Sequence, residues 1–353
     1  MKYSSCSVDP LAIYADDASM KHGHLNQVFD PIFADFDRVT KLHAAFNLFF
    51  ICLCTIEVVV LATFFVALTQ SLVLALSLSI LFFTFFAYFT LRIYFQTKKP
   101  EQYLEIKNRY LSSCKDLLNY QEGAEDHYNA LANACCKFAN RLHAREYQYY
   151  RLPSWLSILS PLMERISCRL HWQDIYFMKE KMLEEAVNEH IKYVKCQPTS
   201  LEAHASLANA YVMLSGIYID PRSLEGYDDD RWIPRDMYTE GFDEKFRFTA
   251  ERAIEEFKIL SEYAPDDPWV HSQLAYSYHD LHMPMEEIKE YETIQKLAPG
   301  DWDNLYKLGM LYFQQGMNAK GLRVYEDLKK AHYIKAESLI NHYGSYERGG
   351  YAV

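Results

Sequence analysis

A pattern of leucine, a small residue, two variable residues and tyrosine recurs at a nearly constant interval in the C-terminal half of the chain. It appears as Leu207-Ala208-Asn209-Ala210-Tyr211, as Leu274-Ala275-Tyr276-Ser277-Tyr278 and as Leu308-Gly309-Met310-Leu311-Tyr312. The step from the second copy to the third is one period, and the step from the first to the second is close to two periods. A period of about 34 residues is typical of stacked helical hairpins, because no single hairpin can bury its own apolar face.

These positions resemble those of the tetratricopeptide repeat (TPR) family, whose first helix carries a large residue, a leucine, a small residue and an aromatic residue, and whose second helix is followed by proline. One repeat of this chain carries that set as His271, Leu274, Ala275, Tyr278 and Pro299. Glu287 and Gly321 stand where the family has alanine, and Tyr333 stands where it has proline. The resemblance implies an α-solenoid that presents a concave face to a protein or peptide.

We therefore expect an all-α chain in which a transmembrane helical hairpin precedes an α-solenoid of TPR-like repeats. The predicted segments are a polar N-terminal segment without regular structure at residues 1–43, the hairpin at 44–97, a helical region with degenerate repeats at 101–197, the clear repeats at 198–334 with an insertion at 218–243, and a capping helix with a tail at 335–353. The insertion adds almost one repeat length, because the step from Tyr211 to Ala253 is far longer than the corresponding step in the family.

Helix starts in the repeats carry capping residues. Asp267 precedes Pro268, and Asp301 precedes the next first helix, so both aspartates are predicted N-caps. Thr199 and Glu202 have the spacing of a capping box.

The hairpin is predicted from two apolar runs, residues 46–68 and 72–94, which are separated by a short polar break. As a helix, each run is about 34 Å long, enough to cross a hydrocarbon core of about 30 Å. A soluble core rarely needs two such runs in succession. The pair is therefore predicted to form a two-pass membrane anchor.

The orientation of the anchor is predicted from basic residues at its ends. Arg38 and Lys41 precede the first run, Arg92, Lys98 and Lys99 lie at or after the end of the second, and the turn has none. Both termini are therefore expected in the cytoplasm, at a bacterial inner membrane. The layout also resembles that of chlamydial inclusion-membrane proteins, which implies a pathogen vacuole membrane as the alternative.

Glu57 lies near the middle of the first apolar run. A carboxylate at that depth is costly and indicates either an ion or proton path or a protonated side chain that hydrogen-bonds across a helix interface. The second reading includes a homodimer through the hairpin. The first makes the protein a component of a membrane transport or export assembly.

Composition and motifs disfavour several other functions. The net charge of −11 comes wholly from residues 101–353, since residues 1–100 hold seven basic and seven acidic residues, and this disfavours a nucleic-acid partner. The eight cysteines have no C-x-x-C spacing, and Asp228-Asp229-Asp230 lacks the spacing of a calcium loop. We expect no catalytic residue, metal or cofactor; an enzyme with its site in the 218–243 insertion stays the alternative.

The favoured function is a membrane-anchored scaffold that binds a protein or peptide segment with apolar anchors. The TPR resemblance assigns the groove to first-helix positions that face the concave side. These are Asn209, Met213, Trp269, Ser272, Tyr276, His279, Tyr306, Met310 and Phe313. A clamp for acidic C-terminal peptides, known in the family, is not expected, because Ala205 stands where that clamp has lysine.

Overall fold

The computed structural model describes residues 19–63, 71–150, 158–220, 238 and 240–344, and its regular structure over these residues is helical, without strands. The prediction of an all-α fold is confirmed. The α-helices are α1 (Ser19–Thr63), α2 (Ser71–Leu118), α3 (Glu125–Arg141), α4 (Ser160–Cys196), α5 (Leu201–Gly216), α6 (Glu240–Tyr263), α7 (Pro268–Asp280), α8 (Pro284–Leu297), α9 (Trp302–Gln314), α10 (Asn318–Lys330) and α11 (Ala336–Leu339). Short 3-10 helices occupy Arg145–Tyr147 and Ile340–His342.

The chain divides into two compact units. The N-terminal unit comprises Met1–Glu189 with Asp220–Thr239, and the repeat unit comprises His190–Ile219 with Glu240–Val353. The predicted hairpin turn, most of the 218–243 insertion with its three aspartates, and the C-terminal tail lie outside the described residues.

In the N-terminal unit, α1 and α2 form an antiparallel hairpin. Three hydrogen bonds mark the pairing along its length. Thr84 donates to Glu57 at 2.8 Å, Tyr88 donates to Asn47 at 3.3 Å, and Thr40 and Tyr103 share a hydrogen bond of 3.2 Å. The residue number falls along α1 as it rises along α2, which fixes the antiparallel direction.

The first part of α1 corrects the expectation for residues 1–43, which is wrong for residues 19–43. Phe29, Ile32, Phe33 and Phe36 are all buried and lie on one helical face. Phe29 and Phe33 pack edge-on against Phe138 of α3, at ring distances of 5.4 and 5.7 Å. This apolar face, which has aspartates between its members, packs residues 29–36 of the helix into the core of the unit.

Helices α2 and α4 are longer than the helices of the repeats. Helix α2 continues through Pro100, from the predicted hairpin into the helical region that follows it. Helix α4 is a single helix of 37 residues, whereas α7, α9 and α10 have 13 residues each. Residues 160–196 are therefore not divided into helices of the repeat length.

In the repeat unit, successive helices pack as pairs, α5 with α6, α7 with α8 and α9 with α10, and each pair packs on the next. Ala208 and Ala275, the small residues of the repeated pattern, are fully buried. At Gly309, which has the same place in the last pair, an added Cβ would lie 2.8 Å from side-chain atoms of Val324 and Leu339. The small residue therefore sets how closely the helices approach.

The N-caps of the repeats largely follow the prediction. Asp267 accepts a hydrogen bond from the backbone N–H of Trp269, and Asp301 accepts one from Asn304. Both predicted caps are confirmed. The predicted capping box at Thr199 is wrong, because the N-cap of α5 is Ser200, whose hydroxyl accepts from Ala203 at 3.3 Å.

The two departures from the TPR pattern have packing explanations. A Cβ at Gly321 would lie 2.6 Å from the ring of Phe313, so the phenylalanine occupies the space of the usual alanine methyl group. Glu287 is 5% exposed and lies 3.2 Å from Nδ1 of His279 on the preceding helix. In each pair a side chain of the first helix compensates for the missing alanine.

Candidate interaction surface

The predicted groove residues lie on three first helices, α5, α7 and α9, and differ in exposure. Tyr276 and His279 on α7 are exposed. Five others are partly buried: Asn209, Met213, Trp269, Ser272 and Met310. Trp269 packs edge-on against Phe257 at 6.2 Å, so one side of its ring belongs to the core. The exposed part of this set is centred on α7.

Tyr276 is joined to the neighbouring first helix. Nζ of Lys307 on α9 lies 4.9 Å from the centre of the Tyr276 ring and donates to its hydroxyl at 3.1 Å. The two first helices therefore lie side by side at this point, and together they present a tyrosine ring and an ammonium group. Such a pair suits a segment that brings an apolar anchor to the ring.

Two predicted groove residues are buried. Phe313 is fully buried and packs edge-on against Tyr343 at 5.7 Å. Tyr306 is 6% exposed, and its hydroxyl shares a hydrogen bond of 2.9 Å with Ser338, just before the final 3-10 helix. The C-terminal segment covers this end of α9, so neither side chain is an accessible anchor, which corrects the sequence-based assignment.

His204 and His271 make contacts inside the repeats that the sequence pattern does not predict, because the pattern requires only a large residue at these positions. In His271 the Nδ1 atom lies 2.7 Å from Glu290 and Nε2 lies 2.9 Å from the carbonyl oxygen of Pro265. A carboxylate and a carbonyl both accept, so both ring nitrogens must donate and the ring is an imidazolium. Burial lowers the pKa of His271, but the hydrogen bonds to Glu290 and Pro265 outweigh it and hold the pKa above its ordinary value.

His204 repeats this arrangement one hairpin earlier. Its Nδ1 lies 2.6 Å from Glu256, and its Nε2 lies 3.0 Å from the carbonyl oxygen of Pro198. Burial opposes the charged ring, yet the bonds to Glu256 and Pro198 raise its pKa. We call each set of histidine, glutamate and proline carbonyl a histidine clamp. Each clamp ties the first helix to its second helix and to the preceding turn.

The third repeat replaces the histidine clamp by an apolar pair. One period on from His271 and Glu290, the corresponding residues are Leu305 and Val324, and both are buried in the same hydrophobic core. The exchange of a histidine and a glutamate for a leucine and a valine is the sequence signal by which the clamps could have been found.

Two acidic side chains, Glu292 on α8 and Asp303 on α9, are paired with lysines and tyrosines. Hydrogen bonds from Lys320 and Tyr312 lower the pKa of Glu292. A hydrogen bond from Tyr333 and the nearby Lys335 lower the pKa of Asp303. Both carboxylates are therefore charged at neutral pH. Glu292 links α8 to α9 and α10, and Asp303 links α9 to the segment after α10.

Glu57 of the hairpin accepts the hydroxyl hydrogen of Thr84 through Oε1, and Thr84 is buried between the two helices. Its second oxygen, Oε2, has no hydrogen-bond partner within the described chain. The contact that the structure provides therefore lies inside the hairpin, across its own helix interface. No group of histidine, cysteine, aspartate or glutamate residues within the described ranges could hold a metal ion.

Comparisons with known proteins give little further information. No protein-family model matches the chain, and no curated protein matches it. Among the matches to solved structures is a monomeric mutant of IFIT1 with Gppp-AAAA, 13% identical, with a TM-score of 0.33. That match covers 69% of this chain and 60% of the other. At this TM-score it supports no functional argument, and the helical-repeat fold stands on the helix pairs themselves.

Proposed function

We propose that this protein is a membrane-anchored scaffold whose TPR-like repeats bind a protein segment. The anchor is the α1–α2 hairpin, and the binding surface is the exposed part of the first helices around Tyr276. Two observations together carry the proposal. The apolar hairpin is not covered by other elements, and Tyr276 of the repeat unit is exposed and lies outside the hydrophobic core.

The exposure of the hairpin side chains supports its assignment as a membrane anchor. Its two helices each contain a window of mean hydropathy 2.3. Leu72, Phe82 and Phe83 are 82%, 73% and 71% exposed. A soluble core helix of this hydropathy would be covered by other elements, and an uncovered apolar face of this length favours aggregation in water. A bilayer is the environment in which such a surface is stable.

The ends of the hairpin support the predicted orientation. Because α1 and α2 are antiparallel, Lys41 before the first run and Lys98 after the second lie at the same end. Both are well exposed, at 65% and 49% of their side chains. Basic residues on one side of a hairpin favour the cytoplasmic side for that end, and both termini would lie there.

The binding surface is proposed for Tyr276, His279 and the partly buried groove residues, without Tyr306 and Phe313. The partner is a protein segment with apolar anchors, since Tyr276 and the half-buried Trp269 offer aromatic surface. The proposed partner is a protein and not a nucleic acid, because the repeat region is acidic and would repel phosphates.

Site-specific photo-crosslinking in intact cells tests the proposal. A photoreactive residue placed at position 276 of the full-length chain is expected to give a discrete adduct in the membrane fraction. The matched control is position 263, where Tyr263 at the end of α6 is 62% exposed. Equal labelling from both positions would contradict the proposed binding surface. Recovery of the chain in the soluble fraction would contradict the membrane anchor.

A further inference from the structure

A small cleft opens between α1, α2 and α4 where the apolar part of the hairpin meets its polar end. It offers about 30 Å³ to water-sized groups, enough for one or two oxygens of a larger ligand that stays outside. The residues that line it, His43, Phe46, Asn47, Arg92, Phe95, Gln96, Lys99 and Leu170, all belong to the N-terminal unit.

The lining carries two cations and no carboxylate. Lys99 has its counter-ion behind the cleft, since its Nζ donates to Asp174 at 2.8 Å, and Nδ1 of His171 lies 3.2 Å from the same oxygen. Burial lowers the pKa of His171, which leaves that ring neutral. Lys99 and Asp174 therefore cancel, and the remaining charge of the cleft is that of Arg92.

Arg92 has no ion pair with a carboxylate among the described residues. One of its N–H groups donates to the Tyr88 hydroxyl at 3.0 Å, and Tyr88 in turn donates to Asn47. Asn47 completes the chain by donating to Tyr150 at 3.4 Å. The guanidinium has five N–H donors, so this chain fixes its position and leaves donors for a ligand.

Aromatic rings surround the cleft and indicate its level in the membrane. Phe46 contacts Tyr88 at 5.9 Å and Phe95 at 4.9 Å, and Phe50 lies 5.4 Å from Tyr88 on the apolar side. A cluster of aromatic rings at the end of an apolar run is typical of the interface between hydrocarbon and headgroups. In the orientation proposed above, the cleft lies at the level of the cytoplasmic headgroups.

We propose that this cleft binds the phosphate of an anionic phospholipid headgroup, with Arg92 as the principal contact and Lys99 and Asn47 at its wall. Arginine matches the phosphate oxygens in a two-point contact. The net negative charge of an anionic headgroup neutralises the excess charge of Arg92, whereas the choline cation of phosphatidylcholine offsets the charge of its own phosphate. Basic pockets between membrane helices on the cytoplasmic side suit such headgroups. The inference rests on the proposed membrane insertion, and it adds a lipid ligand that orients the anchor.

The test uses the full-length chain reconstituted in bilayer nanodiscs made from an equimolar mixture of phosphatidylglycerol and phosphatidylcholine. Native mass spectrometry after release measures the ratio of the two lipids retained on the protein. We expect preferential retention of phosphatidylglycerol, and a loss of that preference of about tenfold in Arg92→Gln, since a charged hydrogen-bonded contact is removed.

Two further variants keep the experiment decisive. Lys98→Gln removes one positive charge beside the cleft, but Lys98 is exposed, bonds Glu101 and does not line the cleft, so its preference should equal that of the parent. Gln96→Glu places a carboxylate on an exposed lining residue without disturbing the core, and its preference should fall as in Arg92→Gln.

The outcomes separate this inference from the proposed function. A chain that enters nanodiscs but retains both lipids equally overturns the headgroup site and leaves the anchor intact. Equal losses in Lys98→Gln and Arg92→Gln would show general surface attraction and would also overturn it. Displacement of the lipid by free inorganic phosphate would show a site for the soluble anion instead. A chain that does not enter nanodiscs refutes the anchor and the site together.

Discussion

His204 Nδ1 lies 2.6 Å from Glu256 although the two residues are 52 positions apart, and His271 makes the same contact with Glu290 across only 19 positions. The difference between the two separations matches the length of the insertion inferred from the repeat pattern. The insertion therefore enters between two helices of one hairpin without changing how those helices meet. It is an addition to the solenoid and leaves the repeat geometry in place.

The histidine clamps predict how stability depends on pH. The pKa of His204 and of His271 is raised in the folded state above the ordinary value of about 6.5. Each clamp therefore stabilises the fold fully below about pH 6.5 and loses that contribution as the pH rises through the folded-state pKa. We expect the melting temperature of the repeats to fall over this range, as measured by circular dichroism at a series of pH values.

The control for this prediction comes from the chain itself. A His271→Leu, Glu290→Val double variant carries the residue pair of the third repeat, Leu305 and Val324. Its melting temperature should vary less with pH than that of the parent. An unchanged pH dependence would show that the clamp does not hold a charged histidine.

Breaking one clamp on one side should cost more than exchanging both partners. Glu290→Val leaves the His271 imidazolium, which is 11% exposed, without its carboxylate. We expect a loss of about 2 kcal/mol in the free energy of unfolding. The double variant with His271→Leu should recover most of that loss in chemical denaturation. If the single and double variants are equally stable, the pair is not coupled.

Gly309 should not tolerate the alanine that the other two repeats carry at the same place. An added Cβ would lie 2.8 Å from Val324 and Leu339, so Gly309→Ala is expected to lower the free energy of unfolding by about 1–3 kcal/mol. Gly216→Ala is the control, because no atom lies within 4 Å of a Cβ there. Equal stabilities of the two variants in a thermal melt would contradict the close approach at Gly309.

If the hairpin spans a membrane, reporter tags at its ends and at its turn should lie on opposite sides. Tags at residue 1 and residue 353 should report from the cytoplasmic side, and a tag inserted at Gln70 should report from the opposite side. Protease protection in sealed vesicles measures this. If Gln70 is found on the same side as both ends, the pair of helices does not span.

The repeat fold and the apolar helices could be predicted from the sequence because both depend on local spacing. The repeat period and the two apolar runs are visible in the residue order. The first part of α1 is harder to predict, because aspartates lie between Phe29, Phe33 and Phe36 and make the composition of the segment polar although the helical spacing of the apolar residues is regular.

The candidate surface is less predictable from the sequence, because the C-terminal segment decides which groove positions stay exposed. Phe313 and Tyr306 occupy groove positions in the family pattern, yet Tyr343 and Ser338 cover them. No local pattern shows that a C-terminal segment folds back over the first helix of the last repeat. The histidine clamps join residues that are far apart in the sequence, so they become visible only in the three-dimensional structure. The paired exchange of histidine and glutamate for Leu305 and Val324 in the third repeat is the one sequence signal that points to them.

The most direct test of the central claim is the affinity of the partner identified by crosslinking at position 276, measured with the full-length chain in nanodiscs. Tyr276→Ala should weaken binding by about 2 kcal/mol, as expected for an aromatic anchor, whereas Tyr263→Ala, which changes an exposed tyrosine at the end of α6, should bind like the parent. If Tyr276→Ala binds as tightly as the parent while remaining folded, the first helices of the repeats are not the binding surface and the scaffold proposal is wrong.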